Sequence, residues 1–272
     1  VYLYEKLYKS LTLRKLIVPI FVVIIFIPLI INKNKTDQSD VLIFEDYTKT
    51  ILNSVEKNSI ILSYQWDYFI SASYYFQFVE NYRKDVVVVD KELLRRSWYY
   101  NQMKRNNYEV YKSIENEINS FKESVKPFER DEIYNATIIE KNYQSVMTNL
   151  IQKNINERNC YLGLELIQNE LQRGEFNLPE GYSVVPFNLL FKVVKGNEYY
   201  EAPLPNFTLR FPKTNNNYID FIRTTVATML TYRAAYEIQF NKKERAKIYI
   251  EKVKNEYPEF NIPIGILNSV GY

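Results

Sequence analysis

A mixed α/β domain on a Rossmann-like βαβ sheet, behind an N-terminal transmembrane helix and ahead of a tetratricopeptide-like helical hairpin, is the fold class this sequence predicts. Three observations lead there. Residues 16–31 run without a polar side chain. Two short apolar segments, 59–63 (SIILS) and 85–89 (DVVVV), have the composition of buried parallel strands and are separated by a helix-period stretch. From Tyr218 onward the pattern changes to two longer helical segments that meet at Asn241-Lys242. The boundaries that follow are 1–32 for an amphipathic lead-in and the transmembrane helix, 33–40 for a polar linker, 41–212 for the α/β domain and 213–272 for the hairpin.

The apolar run LIVPIFVVIIFIPLII spans about 24 Å as a helix, slightly less than a hydrocarbon core of about 30 Å. Arg14, Lys15 and Lys33 can snorkel to make up the difference. Pro19 and Pro28 sit near its two ends, where a lost backbone hydrogen bond costs least. A soluble core helix of this length would carry a polar face. A cleaved signal peptide would need a small-x-small site, which Asn32-Lys33-Asn34-Lys35-Thr36-Asp37 does not supply. Lys6, Lys9, Arg14 and Lys15 precede the run against Glu5 alone, whereas Lys33 and Lys35 after it are offset by Asp37 and Asp40. The expectation is a single span in the cell membrane, with everything after Asn32 extracytoplasmic. The chain opens on Val1 rather than Met, as expected for the C-terminal piece of something longer.

Behind the linker, Val41, Phe44, Thr48, Ile51, Leu52 and Val55 recur at helical spacing and predict an amphipathic helix over 41–57. Strand 59–63, helix 67–82, strand 85–89 and helix 91–105 then follow in the order of a βαβ unit. Two further helices are expected at 108–126, stopped by Pro127, and at 137–156, with a third strand at 160–166. The turn signal Pro179-Glu180-Gly181 introduces strands at 182–185, 189–194 and 207–211. Helices 218–240 and 243–257 make the terminal pair, too short an array for a solenoid.

Composition removes whole classes of chemistry. There is no histidine, hence no imidazole base or zinc ligand and no Ser-His or Cys-His nucleophile. Cys160 is the only cysteine and lies in an apolar run, so it reads as a buried structural thiol. With six glycines the chain has no glycine-rich phosphate loop, and no Asp-x-Asp occurs to hold a metal for a soluble nucleotide-sugar transferase. No cofactor and no metal are expected. A net charge of +3, with lysine and arginine interleaved among Asp and Glu, excludes a nucleic-acid stripe.

In an open parallel sheet, ligands bind beyond the C-terminal ends of the strands. Two such ends are readable, Ser63-Tyr64-Gln65-Trp66-Asp67 and Asp90-Lys91-Glu92. If those strands are neighbours, Gln65, Asp67 and Asp90 line one crevice, and Trp66 can stack on a sugar or lipid-linked group. Asp67 and Asp90 also have the ordinary reading of helix N-caps, and Trp66 that of a packing residue. Arg95-Arg96 is a phosphate clamp, a solvated helix face or a pairing with Glu92, while Trp98 and Tyr99 are expected to pack their helix on the sheet.

The block Ile60-Ile61-Leu62-Ser63-Tyr64-Gln65-Trp66-Asp67, with Tyr74-Tyr75-Phe76-Gln77, Arg83-Lys84-Asp85-Val86, Leu93-Leu94 and Trp98-Tyr99, resembles a bacterial family of multi-pass membrane proteins. That family, a domain of unknown function, is related to GT-C protein O-mannosyltransferases, and the similarity is to its extracytoplasmic C-terminal region. The likeness covers residues 13–130 well and 218–264 loosely. At the first turn many members carry Gly-Asp-Asn-Asp, where this chain has Trp66-Asp67-Tyr68-Phe69 and keeps one acid. The resemblance implies a catalytic carboxylate in a multi-pass region outside this chain. It therefore implies a non-catalytic extracytoplasmic domain, with the membrane and a protein or glycan acceptor as partners. The alternative is a stand-alone membrane-anchored binding or sensor protein with a Rossmann-like crevice, and a third reading is an enzyme using Asp67 and Asp90.

Overall fold

The computed structural model describes residues 11–213 and 215–271. The lead-in expected over 1–12 falls, up to residue 10, outside them. The chain divides into two compact units with the boundary after Leu42.

The first unit contains helix α1 (Leu11–Thr36), which carries Pro19 and Pro28 within it. The expected transmembrane span is corrected here: no helix among the described residues is long and apolar enough to cross a membrane. The reason lies in the ends of the run. Sixteen apolar residues reach only about 24 Å, and α1 closes with Asn32, Lys33, Asn34, Lys35 and Thr36 instead of further apolar turns. The membrane location and the extracytoplasmic placement that rested on this span are corrected with it, and the linker begins later, because α1 runs to Thr36.

The second unit, Ile43–Tyr272, is a mixed α/β domain around an open five-stranded sheet in the order β2-β1-β3-β5-β4. The strands are β1 (Ile60–Ser63), β2 (Val87–Asp90), β3 (Cys160–Leu162), β4 (Tyr182–Phe187) and β5 (Leu190–Lys195). β1 runs parallel to β2, with Ile60 opposite Val87, and parallel to β3, with Ile60 opposite Cys160. β5 pairs antiparallel with both β3 and β4, so a hairpin closes one side. Every residue of β1, β2 and β3 is buried, as expected of parallel strands covered on both faces. Cys160 is among them, and burial pushes its thiol up to about 12.

Helix α2 (Ile43–Ser54) precedes β1 and buries Ile43, Tyr47, Thr48, Ile51 and Leu52. Of the expected stripe, Thr48, Ile51, Leu52 and Val55 are buried, whereas Val41 and Phe44 are only half-buried and Ile43 and Tyr47 take the inner face instead. Between β1 and β2 the helix is not uniform: a π-helical turn, Trp66–Ile70, leads into α3 (Ser71–Phe78). After β2 the predicted helix breaks into a 3₁₀ turn, Leu93–Arg95, and α4 (Tyr99–Asn106). Helices α5 (Tyr108–Ser113) and α6 (Glu115–Glu129) replace a single one, with a kink at Ile114. Pro127 lies inside the last turn of α6 rather than beyond it. Helix α7 (Ala136–Gln152) is capped by Asn135, whose side chain accepts from the Ile138 N–H at 3.1 Å.

β3 ends at Leu162 and passes through Gly163 into α8 (Leu164–Leu166) and a second π turn, Ile167–Leu171. The strand expected at 207–211 is absent; the chain there is an irregular strap. Pro205 and Pro212 bracket the segment, and within it the Arg210 N–H donates to Asp46 at 2.8 Å and the Phe207 carbonyl accepts from Lys252 at 2.6 Å, so side chains occupy groups a ladder needs. Helices α9 (Asn217–Gln239) and α10 (Lys243–Glu256) form the terminal pair at nearly the predicted bounds, followed by α11 (Ile264–Val270).

Candidate functional site

Because β1, β2 and β3 are parallel, their C-terminal ends lie on one edge of the sheet, and Ser63 and Asp90 stand opposite each other there. With β2 on one side of β1 and β3 on the other, the chain changes direction between β1 and β3. That is where open α/β sheets leave a crevice. The sequence pointed to the β1–β2 junction instead.

The β1–β3 junction is filled by a side chain that the sequence reading passed over, Glu165. Its carboxylate accepts from Ser63 Oγ at 2.6 Å, from the Tyr64 N–H at 3.0 Å and from Gln65 Nε2 at 2.7 Å. Gln65 Oε1 in turn accepts from the hydroxyl of Tyr47 on α2 at 3.0 Å. Tyr47 is fully buried, and burial first, then the nearby Glu165 charge, hold its hydroxyl well above the ordinary range. Gly163 makes the arrangement possible: a Cβ there would lie 2.2 Å from Glu165 Oε1. A buried carboxylate with three donors is well satisfied. The signal in the sequence was a glycine directly after a buried strand with an acid two residues on, Gly163-Leu164-Glu165.

Beside it lies a second polar cluster. Lys91 Nζ pairs with Glu170 Oε1 at 2.6 Å and Glu92 Oε1 at 2.9 Å, and lies 4.9 Å from the centre of the Tyr64 ring. Asn169 Nδ2 donates to the Tyr64 hydroxyl at 2.7 Å, and the Tyr143 hydroxyl donates to the Lys91 carbonyl at 3.0 Å. Burial works against the charge of Lys91, but its hydrogen bonds to Glu170 and Glu92 outweigh it and raise its pKa. Glu175 is held above the usual carboxylate range, chiefly through the adjacent Glu170.

The predicted residues are distributed as follows. Gln65 is buried inside the Glu165 cluster and faces no open crevice. Asp90 is buried too; its Oδ1 accepts from the N–H groups of Glu92 at 2.7 Å and Leu93 at 3.2 Å, and burial raises its pKa. That is the capping geometry, applied to a 3₁₀ turn. Asp67 is exposed in the first turn of the π segment; the capping position belongs to Gln65, with no side-chain cap bond. Trp66 is half exposed and meets the Tyr74 ring edge-on, with centroids 6.2 Å apart. The sheet edge thus collects all four, but Gln65 and Asp90 turn inward while Trp66 and Asp67 turn outward. Arg95 is bidentate to Glu140 at 2.7 and 3.2 Å rather than to Glu92, and stacks on Tyr143 at 3.7 Å. Tyr99 is buried as expected, whereas Trp98 is exposed. Among the described residues no group of three or more His, Cys, Asp or Glu is placed to hold a metal ion.

An open-sheet α/β domain with a helical C-terminal pair, its sheet edge tied together by Glu165, is the class of protein this geometry defines. The chain belongs to the TMEM260-associated domain 2 family, whose model matches residues 44–257. The match begins in α2 and ends just past α10, so it takes in the whole sheet and the terminal pair and leaves out α1. No curated protein and no solved structure matches the chain.

Proposed function

We propose that this chain is the non-catalytic domain of a glycosyltransferase-like protein related to the GT-C O-mannosyltransferases, and that it recognises an acceptor or partner protein. The family membership and the resemblance carried by the segments within residues 60–100 support the link to glycosylation. The observation that carries the recognition role is the division of labour at the sheet edge. Ser63, Gln65, Glu165 and Asp90 direct their hydrogen bonds to one another and to adjacent turns, while Trp66 and Asp67 stand in solvent beside them. An exposed indole next to an uncommitted carboxylate can engage a polar partner by stacking and by charge-assisted hydrogen bonds.

The test uses cells lacking the parent gene, complemented with full-length protein, and mass spectrometry of the glycans on acceptor proteins. Because Asp67 makes no cap bond, both Asp67→Asn and Asp67→Ala should leave stability within about 0.5 kcal/mol. If the charge is used, both should weaken acceptor engagement by about 10- to 150-fold, the equivalent of ~1.5–3 kcal/mol. Full modification with Trp66→Ala and Asp67→Ala combined, or sugar transfer by the purified chain alone, would overturn the reading.

A further inference from the structure

β2 is an edge strand of the sheet, and a cavity of about 220 Å³ opens along it between α3 and α4. Pairing with β1 uses the peptide groups of Val87 and Val89, so alternation turns those of Val86, Val88 and Asp90 outward. Two of these are already taken by side chains. The Val86 carbonyl accepts from Gln77 Nε2 at 2.7 Å, and the Asp90 N–H donates to the Tyr99 hydroxyl at 3.3 Å. Val88, between them, faces the cavity and forms its floor. An added β-strand would need all three positions, so the edge is unsuited to strand addition and the cavity suits a compact ligand.

The lining states which kind. Tyr74, Phe78 and Tyr99 supply aromatic walls, with Tyr74 and Phe78 centroids 5.7 Å apart and the hydroxyls of Tyr74 and Tyr99 3.1 Å apart. The aromatic surface continues outward through Trp66, against Tyr74, and Trp98, 6.1 Å from Tyr99; Trp66, Phe78 and Trp98 are 46%, 48% and 54% exposed. Gln77 is committed to the Arg83 and Val86 carbonyls, at 3.0 and 2.7 Å, so the amide side chains left to meet a ligand are those of Gln102, Asn106 and Asn107, and the lining holds one cation, Lys84, and no carboxylate. Amides both donate and accept, as do hydroxyls, and aromatic faces take the C–H side of a pyranose ring. A phosphorylated or carboxylated ligand would meet Lys84 alone, a single point charge with no arginine fork beside it, and a purely apolar one would leave the Gln102 and Asn106 amides without a partner from the ligand.

We propose that the cleft between α3 and α4 binds one unit of a neutral saccharide. The proposal deepens the recognition role and rests on it for its cellular meaning, but its chemistry is testable alone. The probes are the methyl glycosides of glucose, galactose, mannose and N-acetylglucosamine at millimolar concentration, read by saturation-transfer NMR, by the Val88 amide resonance and by tryptophan fluorescence. At least one glycoside should give a saturable response in all three. Gln102→Ala should weaken it about 2- to 10-fold, the loss of one or two neutral hydrogen bonds, and Phe78→Ala about tenfold. Both positions are partly exposed, and thermal unfolding should remain unchanged. The proposal is overturned if no glycoside moves the Val88 amide, if binding is indifferent to both variants, or if an extended valine-rich peptide moves that amide while the glycosides do not. Should the glycosides fail while the Trp66 and Asp67 substitutions still abolish acceptor modification in cells, the saccharide site falls and the recognition role stands.

Discussion

Arg83 shows how one residue ties three elements together. Its backbone is left-handed, with φ 46°, a conformation costing a non-glycine residue roughly 1–2 kcal/mol. In return the guanidinium reaches the C-terminal end of α2, donating to the Leu52 carbonyl and, at 3.1 Å each, to those of Val55 and Glu56 just past it. Asp85 holds it from the other side through two bonds at 2.9 and 3.0 Å. The Arg-x-Asp-Val block is thus a helix cap delivered from the start of β2. The bonds to Arg83 hold the Asp85 carboxyl below its ordinary value. A folded pKa below the unfolded one gives stability that is full above about pH 4 and is lost as pH falls through the lower folded value. Arg83→Ala is expected to lower stability by about 2–3 kcal/mol in urea unfolding at neutral pH, since charged hydrogen bonds are lost. The difference from the parent should shrink near pH 3; an equal difference at both pH values would show that Asp85 is not the partner that matters.

At the scale of elements, the strap over 197–213 is held by side chains in place of a ladder. Arg245 donates to the Ala202 carbonyl, Tyr249 to that of Pro203 at 3.0 Å and Lys252 to that of Phe207 at 2.6 Å, while Arg210 is clamped by Asp46 of α2. The centre of this region is a fully buried pair on α9, Arg233 and Glu237, joined at 2.8 Å. Arg233 also donates to the carbonyls of Pro186 in β4 and Tyr200 in the strap, at 2.9 and 2.8 Å. Glu237 accepts from the Tyr199 hydroxyl at 2.9 Å and from Arg245 at 3.2 Å. Replacing Glu237 with Ala leaves Arg233 buried without its counter-charge and should destabilise by about 3–5 kcal/mol. The double change Arg233→Met with Glu237→Leu should be milder than Glu237→Ala in equilibrium unfolding. Equal or greater damage from the double change would mean that the carbonyl contacts of Arg233, not its charge balance, hold the strap.

For the whole molecule, residues 43–272 enclose their own sheet and core, and the family match at 44–257 falls inside that unit. A chain shortened to residues 41–272 is therefore expected to express as a folded protein with one cooperative thermal transition, as domains carrying a complete core do. Calorimetry checks this, and a broad or absent transition would show that the unit is incomplete.

Local chemistry wrote much of this fold into the sequence. The largely apolar runs at 59–63 and 85–89 fall on β1 and β2, the alternating segments at 182–194 on the hairpin, and the pair α9 and α10 within a residue or so of its predicted bounds. Each depends on burial periodicity, which a neighbourhood of ten residues already states. Asp90 as a cap and Cys160 as a buried thiol were legible for the same reason. Tertiary structure decided the rest. Glu165 meets Ser63 and Gln65 across about a hundred residues because β3 docks beside β1, an adjacency no local pattern contains. Arg95 finds Glu140 of α7 rather than Glu92 one turn away, since the helix expected there breaks at a 3₁₀ turn. The segment at 207–211 has strand-like residues yet forms none, because side chains from two distant helices, Lys252 of α10 on the Phe207 carbonyl and Asp46 of α2 on the Arg210 N–H, take peptide groups that a ladder would use. Periodicity records which side chains leave water; which groups they meet there depends on strand order and on the loops between, and that is set only when the chain closes on itself.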